Sequence, residues 1–351
     1  MAERSTPALK PAFTDIVENR ALCSRLRDEI LNGSVSHAYI LEGAHGSGKH
    51  TLALRIAAAL ACEQKEDPTA PLPCGRCPSC RKILAWNSPD VIRINRGDLT
   101  TLGVDVIREL KQDVYVAPND VATKVYLIED AHLMTEAAQN AFLLTLEEPP
   151  AYVLFLLLCE SAAPLLETIR SRAPTLRTEP IAADEIARHI RTVNTDAEAL
   201  AKASPNEFFE VVAAANGSIG RALELLDPKA RKPIVARRES ARQFVRLCSS
   251  RRNGVATQRL INGLGTKRDE LTEQLNVILV CLRDLLLCKH SEEAPLCFFS
   301  DREEAQNLAY HFTTPALLEL CDVILETVER LRRNANVRLT LTELAARAGL
   351  L

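Results

Sequence analysis

Aromatic side chains are scarce in this chain. They make up 4% of its 351 residues, with one tryptophan, Trp86. That scarcity argues against a protein that holds single-stranded nucleic acid by stacking bases on rings. Excess charge of one sign is missing as well, the net being −3 at pH 7. A molecule so near neutrality is not an electrostatic nucleic-acid binder as a whole, which leaves only local patches for that role. No apolar run reaches the length of a membrane span, so no membrane partner is expected. Residues 1–11 are basic and small with no apolar stretch among them, so no secretory leader is expected.

Cysteine is not scarce: there are eleven. In a short secreted chain they would suggest disulfides. In a long chain with no leader they predict free thiols, a metal site and a cytoplasmic location. Cys23, Cys159, Cys248, Cys281, Cys288, Cys297 and Cys321 lie mostly among apolar neighbours and read as small buried hydrophobes. The other four, Cys62, Cys74, Cys77 and Cys80, form a CxxC followed at once by another xxC, with the fourth cysteine twelve positions upstream. That spacing suits one tetrahedral metal, and a Cys₄ zinc is the preferred reading. An iron–sulfur cluster can also use four cysteines, whereas a dithiol redox pair needs only two. With every position filled by a thiolate no water ligand remains, so the metal is expected to be structural.

Apolar periodicity predicts helices over 19–32, 51–62, 104–114 and 137–146. Short apolar runs predict strands at 38–41, 91–94, 125–128 and 153–158. Repeated strand–helix alternation argues for an α/β fold, a parallel sheet with helices on both faces. After Pro180 the strand signal fades, and the rest reads as helical. Three domains are expected: a nucleotide-binding core over 1–180 with the cysteine module at 62–80 inside it, a small helical lid over 181–228, and a helical domain over 229–351.

Gly43-Ala44-His45-Gly46-Ser47-Gly48-Lys49-His50 follows a strand and opens a helix. Gly43, Gly46, Ser47 and Gly48 let backbone N–H groups converge on phosphate oxygens, and Lys49 reaches the β and γ phosphates. The next position departs from the pattern. A Ser or Thr hydroxyl should ligate Mg²⁺ there, but the residue is His50. Thr51 comes one place late, and successive helical residues point about 100° apart, so its hydroxyl should miss the metal. The apolar strand 125–128 ends in Glu129-Asp130, where phosphate-loop ATPases usually place Asp before Glu. Both departures fall on Mg²⁺ and water chemistry, and neither touches the phosphate cradle. Nucleotide binding with poor hydrolysis is the expectation, with ATP and Mg²⁺ as doubtful cofactors.

Taken in order, these motifs resemble one family. The phosphate loop is followed by the four-cysteine knob, Lys124 to Ile128, the run Asn140 to Pro150 with its Leu-Glu-Glu-Pro-Pro, and Ile169-Arg170-Ser171-Arg172. Over about residues 13–225 this is similar to the bacterial DNA polymerase III clamp-loader AAA+ proteins, which load the sliding clamp on primed DNA. The resemblance implies an AAA+ core and lid, a structural zinc, and an all-α C-terminal collar that oligomerises subunits. It implies as partners gamma/tau-like motor subunits, a delta-like subunit, the clamp and primer–template DNA. Gly-Lys-His and Glu-Asp, together with Gly220 where the motors carry a sensor arginine and Cys159-Glu160 where they carry hydroxyl residues, resemble the delta-prime type, which usually does not hydrolyse ATP. Ser171-Arg172 resembles the family's Ser-Arg-Cys motif, with Ala173 in place of the cysteine. It implies that Arg172 reaches into a neighbouring subunit's ATP site, where a guanidinium stabilises the transferring phosphoryl group.

The competing readings are an active gamma/tau-like ATPase, against which His50 and Glu129-Asp130 speak, and an unrelated AAA+ protein of recombination or restart, against which the cysteine knob speaks. The stretch 229–268 holds twelve Lys or Arg and one acid, Glu239. It reads first as a solvated helix face, and second as a contact for DNA phosphate or an acidic partner. His37, His45, His132 and His189 show no paired metal spacing.

Overall fold

The computed structural model of the protein describes residues 12–67, 69–250, 267–333 and 335–348. The chain divides into two compact units, Met1–Ile186 with Gly217–Arg221, and Ala187–Asn216 with Ala222–Leu351.

The first unit is built on five parallel strands: β1 (Ala38–Glu42), β2 (Val91–Ile94), β3 (Lys124–Ile128), β4 (Val153–Cys159) and β5 (Thr175–Arg177). Their order is β2-β3-β4-β1-β5. β1, β3 and β4 are buried almost throughout because helices cover both faces of the sheet. Side-chain alternation splits the sheet into two cores. Tyr39, Leu41, Val125, Leu127, Leu154, Leu156 and Leu158 pack with α1 (Arg20–Leu31) and α2 (Lys49–Leu60). Ile40, Tyr126, Ile128, Phe155 and Leu157 face the other way, onto α4 (Val104–Asp113) and α5 (Glu136–Glu147). β1 pairs with β4 on one side and β5 on the other, although β2 follows it in sequence. In open α/β sheets ligands lie beyond the carboxyl ends of the strands beside such a switch in order, and here that places the phosphate loop.

Two elements of this unit go beyond the sequence expectations. α3 (Pro78–Leu84) starts on Cys77, whose sulfur accepts the N–H of Cys80, with Pro78 at its first position. β5 is three residues long, too short to show a period. A short helix, α6 (Glu167–Arg170), follows β4, and α7 (Ala183–Val193), after β5, spans the boundary between the units.

The second unit is helical: α8 (Thr195–Ala203), α9 (Pro205–Ala214), α11 (Pro228–Ser250), α12 (Arg268–His290), α13 (Arg302–Tyr310), α14 (Thr314–Arg332) and α15 (Val337–Arg347); α10 (Ile219–Glu224) spans the boundary. One core joins Phe244, Leu275, Ile278, Leu282, Phe298, Phe299, Ile324 and Leu344. Asp284 is fully buried, and its Oδ2 accepts the backbone N–H groups of Cys297 at 2.8 Å and Phe298 at 2.6 Å. A buried charge is tolerated when hydrogen bonds satisfy it, and these two tie the loop after α12 to that helix.

Where the structure describes it, the basic stretch exposes Lys229 and Lys232 and pairs most of its arginines with acids. Arg231 pairs with Glu207 at 3.2 Å, Arg237 with Glu273 at 2.6 Å, and Arg242 with Glu210 at 3.2 Å. Arg246 reaches Glu304 at 3.2 Å. Arg238 is 5% exposed, lies over the Phe298 ring at 4.6 Å and donates to the Phe298 carbonyl. The acids come from other helices, so the sequence run hid its own counter-charges. Residues 251–266 of the stretch lie outside the described residues. No single helix among the described residues is long and apolar enough to cross a membrane.

Candidate functional site

The phosphate loop runs from the end of β1 to the first turn of α2. Gly46 and Gly48 hold φ values of +70° and +88°, a left-handed backbone that glycine adopts without steric cost. A Cβ on Gly43 would stand 1.9 Å from Thr178 Oγ1, so only hydrogen fits there. Thr178 donates to Ser47 Oγ at 2.9 Å and fixes that side chain from beyond β5. Lys49 opens α2 and is 7% exposed. Its Nζ donates to the carbonyls of Gly43 at 2.6 Å and Ala44 at 2.7 Å. Burial pulls the lysine below its ordinary pKa, and the nearby carboxylates of Glu160 and Asp130 oppose that pull. A cradle of glycine backbone with a buried ammonium at its base fits a phosphate chain.

The divalent-cation position does not fit Mg²⁺ in the same way. Glu129 extends β3, its N–H bonded to the Ile94 carbonyl at 2.8 Å. Its Oε1 lies 3.3 Å from His50 Nε2 and 2.7 Å from both Nε and an Nη of Arg93 on β2. The Glu129 side chain is 13% exposed. Burial alone would raise its pKa, but the hydrogen bonds from His50 and Arg93 outweigh it and carry the carboxyl below its ordinary value. Asp130 follows in a left-handed conformation (φ +50°) and pairs with Arg96 at 3.3 Å. Thr51 is exposed one residue beyond His50. Mg²⁺ wants near-octahedral oxygen ligands, and here the carboxylate already meets the Arg93 guanidinium and His50 Nε2, and no hydroxyl stands at position 50.

A second clasp closes on the loop tip. The N–H of Gly220 donates to the Gly46 carbonyl at 3.0 Å, and Ser218 Oγ donates to the His45 carbonyl at 2.8 Å. A Cβ on Gly220 would stand 2.8 Å from both the Cα and the carbonyl oxygen of Gly46. No side chain, let alone an arginine, can stand at 220 unless the loop moves. At the end of β4, burial pushes the Cys159 thiol up to about 12, so it is a neutral filler and not an ionised group.

Arg172 follows α6 on the surface of the same unit. It donates to Glu147 Oε1 at 2.7 Å and to the Thr168 carbonyl at 3.1 Å, with its side chain 35% exposed. Ser171 Oγ donates to the same Thr168 carbonyl at 3.0 Å. The guanidinium is presented to solvent, and its partner is an exposed carboxylate.

The four cysteines converge as their spacing predicts. Cys62, Cys74, Cys77 and Cys80 are all buried, and their sulfurs lie within 4.8 Å of one another. A tetrahedral site with metal–sulfur bonds of about 2.3 Å has edges of about 3.8 Å, and Cys74 and Cys80 are 3.9 Å apart. Backbone N–H groups point at the sulfurs. Cys74 Sγ accepts from Cys77 at 3.3 Å and Arg76 at 3.4 Å. Burial raises the Cys74 pKa, but these donors outweigh it and bring the thiol down to about 7. The donor set fits a thiolate-bound metal. None of the eleven cysteines is in a disulfide. Cys23, Cys159, Cys248 and Cys281 are buried as expected, while Cys288, Cys297 and Cys321 are half-buried.

Arg93, Arg96, Thr178 and Ser218 were missed by sequence reasoning. The signal for Arg93 was present: a charge inside the apolar run Val91-Ile92-Arg93-Ile94, on the strand beside the acidic one. Thr178 and Ser218 carry no local signal, because only the fold brings them to the loop.

Residues 18–182 match a family model described as DNA polymerase III, delta subunit. The chain is 34% identical over 217 residues to DNA polymerase III subunit tau of Bacillus subtilis, covering 61% of this chain and 37% of that protein. It is 32% identical over 222 residues to DNA polymerase III subunit gamma of Buchnera aphidicola, covering 62% and 58%. It thus spans less than two thirds of the length of these curated relatives. A gamma subunit-related protein of Thermotoga maritima aligns over 93% of this chain and 98% of its own, at 16% identity and a TM-score of 0.43.

Proposed function

Residues 18–182 belong to the bacterial DNA polymerase III clamp-loader AAA+ family, and from that premise we propose that this chain is a delta-prime-like subunit that does not itself hydrolyse ATP. One observation carries the reading. The carboxylate at the end of β3 is held by His50 and Arg93, where a hydrolysing subunit needs an acid free to organise a metal and a water. The alternative, a gamma/tau-like motor, draws on the identity to those subunits and on the well-formed phosphate cradle.

In this reading the chain works as a stator within the complex. Its partners are gamma/tau-like motor subunits and a delta-like subunit, with the sliding clamp and primer–template DNA engaged through the assembly. The cysteine cluster holds one zinc, which braces α3 against the core. The helical second unit serves as the collar through which subunits join. The nucleotide site keeps its cradle, and when nucleotide is bound Lys49 and the loop backbone hold its phosphates.

Arg172 acts on a neighbour's nucleotide. Glu147 keeps the guanidinium at the surface, and an exposed pair of this kind is worth only about 0–1 kcal/mol, so it yields when a more strongly charged phosphate chain is presented. In the neighbour's site the guanidinium meets charge developing on the γ-phosphoryl group. Supplied from outside in this way, such an arginine contributes about 10³–10⁵ in rate in related phosphoryl-transfer systems. The experiment is reconstitution of the clamp loader with Arg172→Ala. Assembly should be intact, while clamp- and DNA-stimulated hydrolysis and clamp loading fall. Unchanged hydrolysis and loading in a complex shown to be assembled would reduce Arg172 to a surface residue.

A further inference from the structure

We infer that Arg93 and His50 take the place of the divalent cation, so that the phosphate loop binds a nucleoside di- or triphosphate without Mg²⁺. The inference rests on reading residues 43–50 as a nucleotide site.

Arg93, whose side chain is 48% exposed, is held by a carboxylate and an indole. Its strand is hydrogen-bonded in register to β3, with Ile94 opposite Ile128. Its guanidinium lies over the Trp86 ring at 4.9 Å, and a flat guanidinium on an indole face is a favourable cation–π arrangement. Two of its nitrogens sit 2.7 Å from Glu129 Oε1. His50 reaches the same oxygen from the first turn of α2. Glu129 therefore bridges the helix that follows the phosphate loop to the edge strand of the sheet. In a magnesium site a hydroxyl, water and phosphate oxygens surround the ion, and a carboxylate holds it. Here the carboxylate is spent on two nitrogen donors, and the second acid, Asp130, is spent on Arg96.

Charge decides between the two occupants. A magnesium ion entering beside Glu129 would have to displace a guanidinium from a carboxylate that is largely out of water, leaving a cation with no partner. It would also add two positive charges to a corner that already holds the Lys49 ammonium and the Arg93 guanidinium. A phosphate chain meets the opposite situation. Lys49 lies at the base of the cradle, and Arg93 and His50 meet at Glu129, the carboxylate that would otherwise hold the metal. Free nucleotide carries more negative charge than its magnesium complex, so the metal should leave binding unchanged or weaken it.

Trp86 is the only tryptophan, and it lies against Arg93, so its fluorescence reports directly on this corner of the site. The experiment titrates ADP and ATP into the full chain, in EDTA and in excess Mg²⁺, reading Trp86 emission and heat in parallel. Binding in EDTA should equal or exceed binding with Mg²⁺. Arg93→Gln should weaken metal-free binding by about tenfold or more, because it leaves the Glu129 carboxylate without its guanidinium partner beside an anionic ligand. Lys49→Ala should abolish binding in both conditions. Circular dichroism and thermal melting establish that the variants are folded, and His50→Ala removes the other nitrogen that contacts Glu129 as a second, milder variant. Binding that tightens about tenfold on adding Mg²⁺ would overturn the inference, as would failure of the wild-type chain to bind in either condition. Neither result touches the non-hydrolysing role proposed above, which falls only if the chain turns ATP over.

Discussion

Gly220 rests on Gly46. The backbone N–H of one donates to the carbonyl of the other at 3.0 Å, and a Cβ on Gly220 would meet the Gly46 Cα at 2.8 Å. The first turn of α10 therefore touches the tip of the phosphate loop, and the two glycines are required by each other. Placing an arginine at 220, as in a sensor of γ-phosphate, should not activate this chain. Gly220→Arg should push the loop and α10 apart, lowering the melting temperature with no gain in ATP turnover. The backbone clash alone should cost about 1–3 kcal/mol, the range of overpacking in a tight contact. Thermal unfolding with a parallel turnover assay checks this, and an active, equally stable variant would contradict it.

The cysteine cluster makes a metal prediction. Protein purified without chelator should carry about one zinc per chain, held by Cys62, Cys74, Cys77 and Cys80. Cys77→Ser removes a metal ligand, while its hydroxyl can still cap α3 through the Cys80 N–H. Its melting temperature should drop by at least about 3 °C, since metal binding is coupled to local folding. Elemental analysis that finds no metal, or finds iron and sulfide with visible absorbance, would reject structural zinc.

Glu129 supplies a pH signature. His50 and Arg93 hold its carboxyl below the ordinary value in the folded chain, so it stabilises the fold above the unfolded-state pKa. That contribution fades as pH falls through the folded value. Glu129→Gln keeps the shape and loses the charge. Near neutrality the variant should be less stable by about 1–3 kcal/mol, the cost of removing one partner from a charged hydrogen bond. The difference should start to shrink as pH falls through the ordinary glutamate range and close only below the lower folded value, where wild-type Glu129 becomes protonated as well. Denaturant unfolding of both proteins between neutral and acid pH measures it, and a gap independent of pH would mean that the ion pairs contribute nothing.

The α/β core was legible because its strands are buried on both faces and so appear as unbroken apolar runs; β2 lies at 91–94 as the sequence predicts. The phosphate loop and the four cysteines were legible because each is a local pattern whose spacing states its geometry. α2 starts two residues before its apolar period because the loop ends on Gly48 in a left-handed turn, which sets the helix start. Arg93 was not legible as a site residue, since its role depends on β2 lying beside β3 and on Glu129 standing at the end of that neighbour. The ion pairs of α11 were hidden for a similar reason: Glu207, Glu210, Glu273 and Glu304 come from helices distant in sequence. Charge runs read along a chain show one partner only, and the fold supplies the other.

The central claim is that this subunit does not hydrolyse ATP. Steady-state turnover by the isolated chain in saturating Mg²⁺ and ATP, assayed beside an active gamma/tau motor, tests it most directly. With His50 in the hydroxyl's place and Glu129 held by Arg93, the rate should lie at least about two orders of magnitude below the motor's, because the loss falls on the metal and the attacking water. His50→Thr alone should not restore it, since the arginine still occupies the carboxylate. A wild-type rate equal to the motor's would contradict the account and make this chain a motor itself.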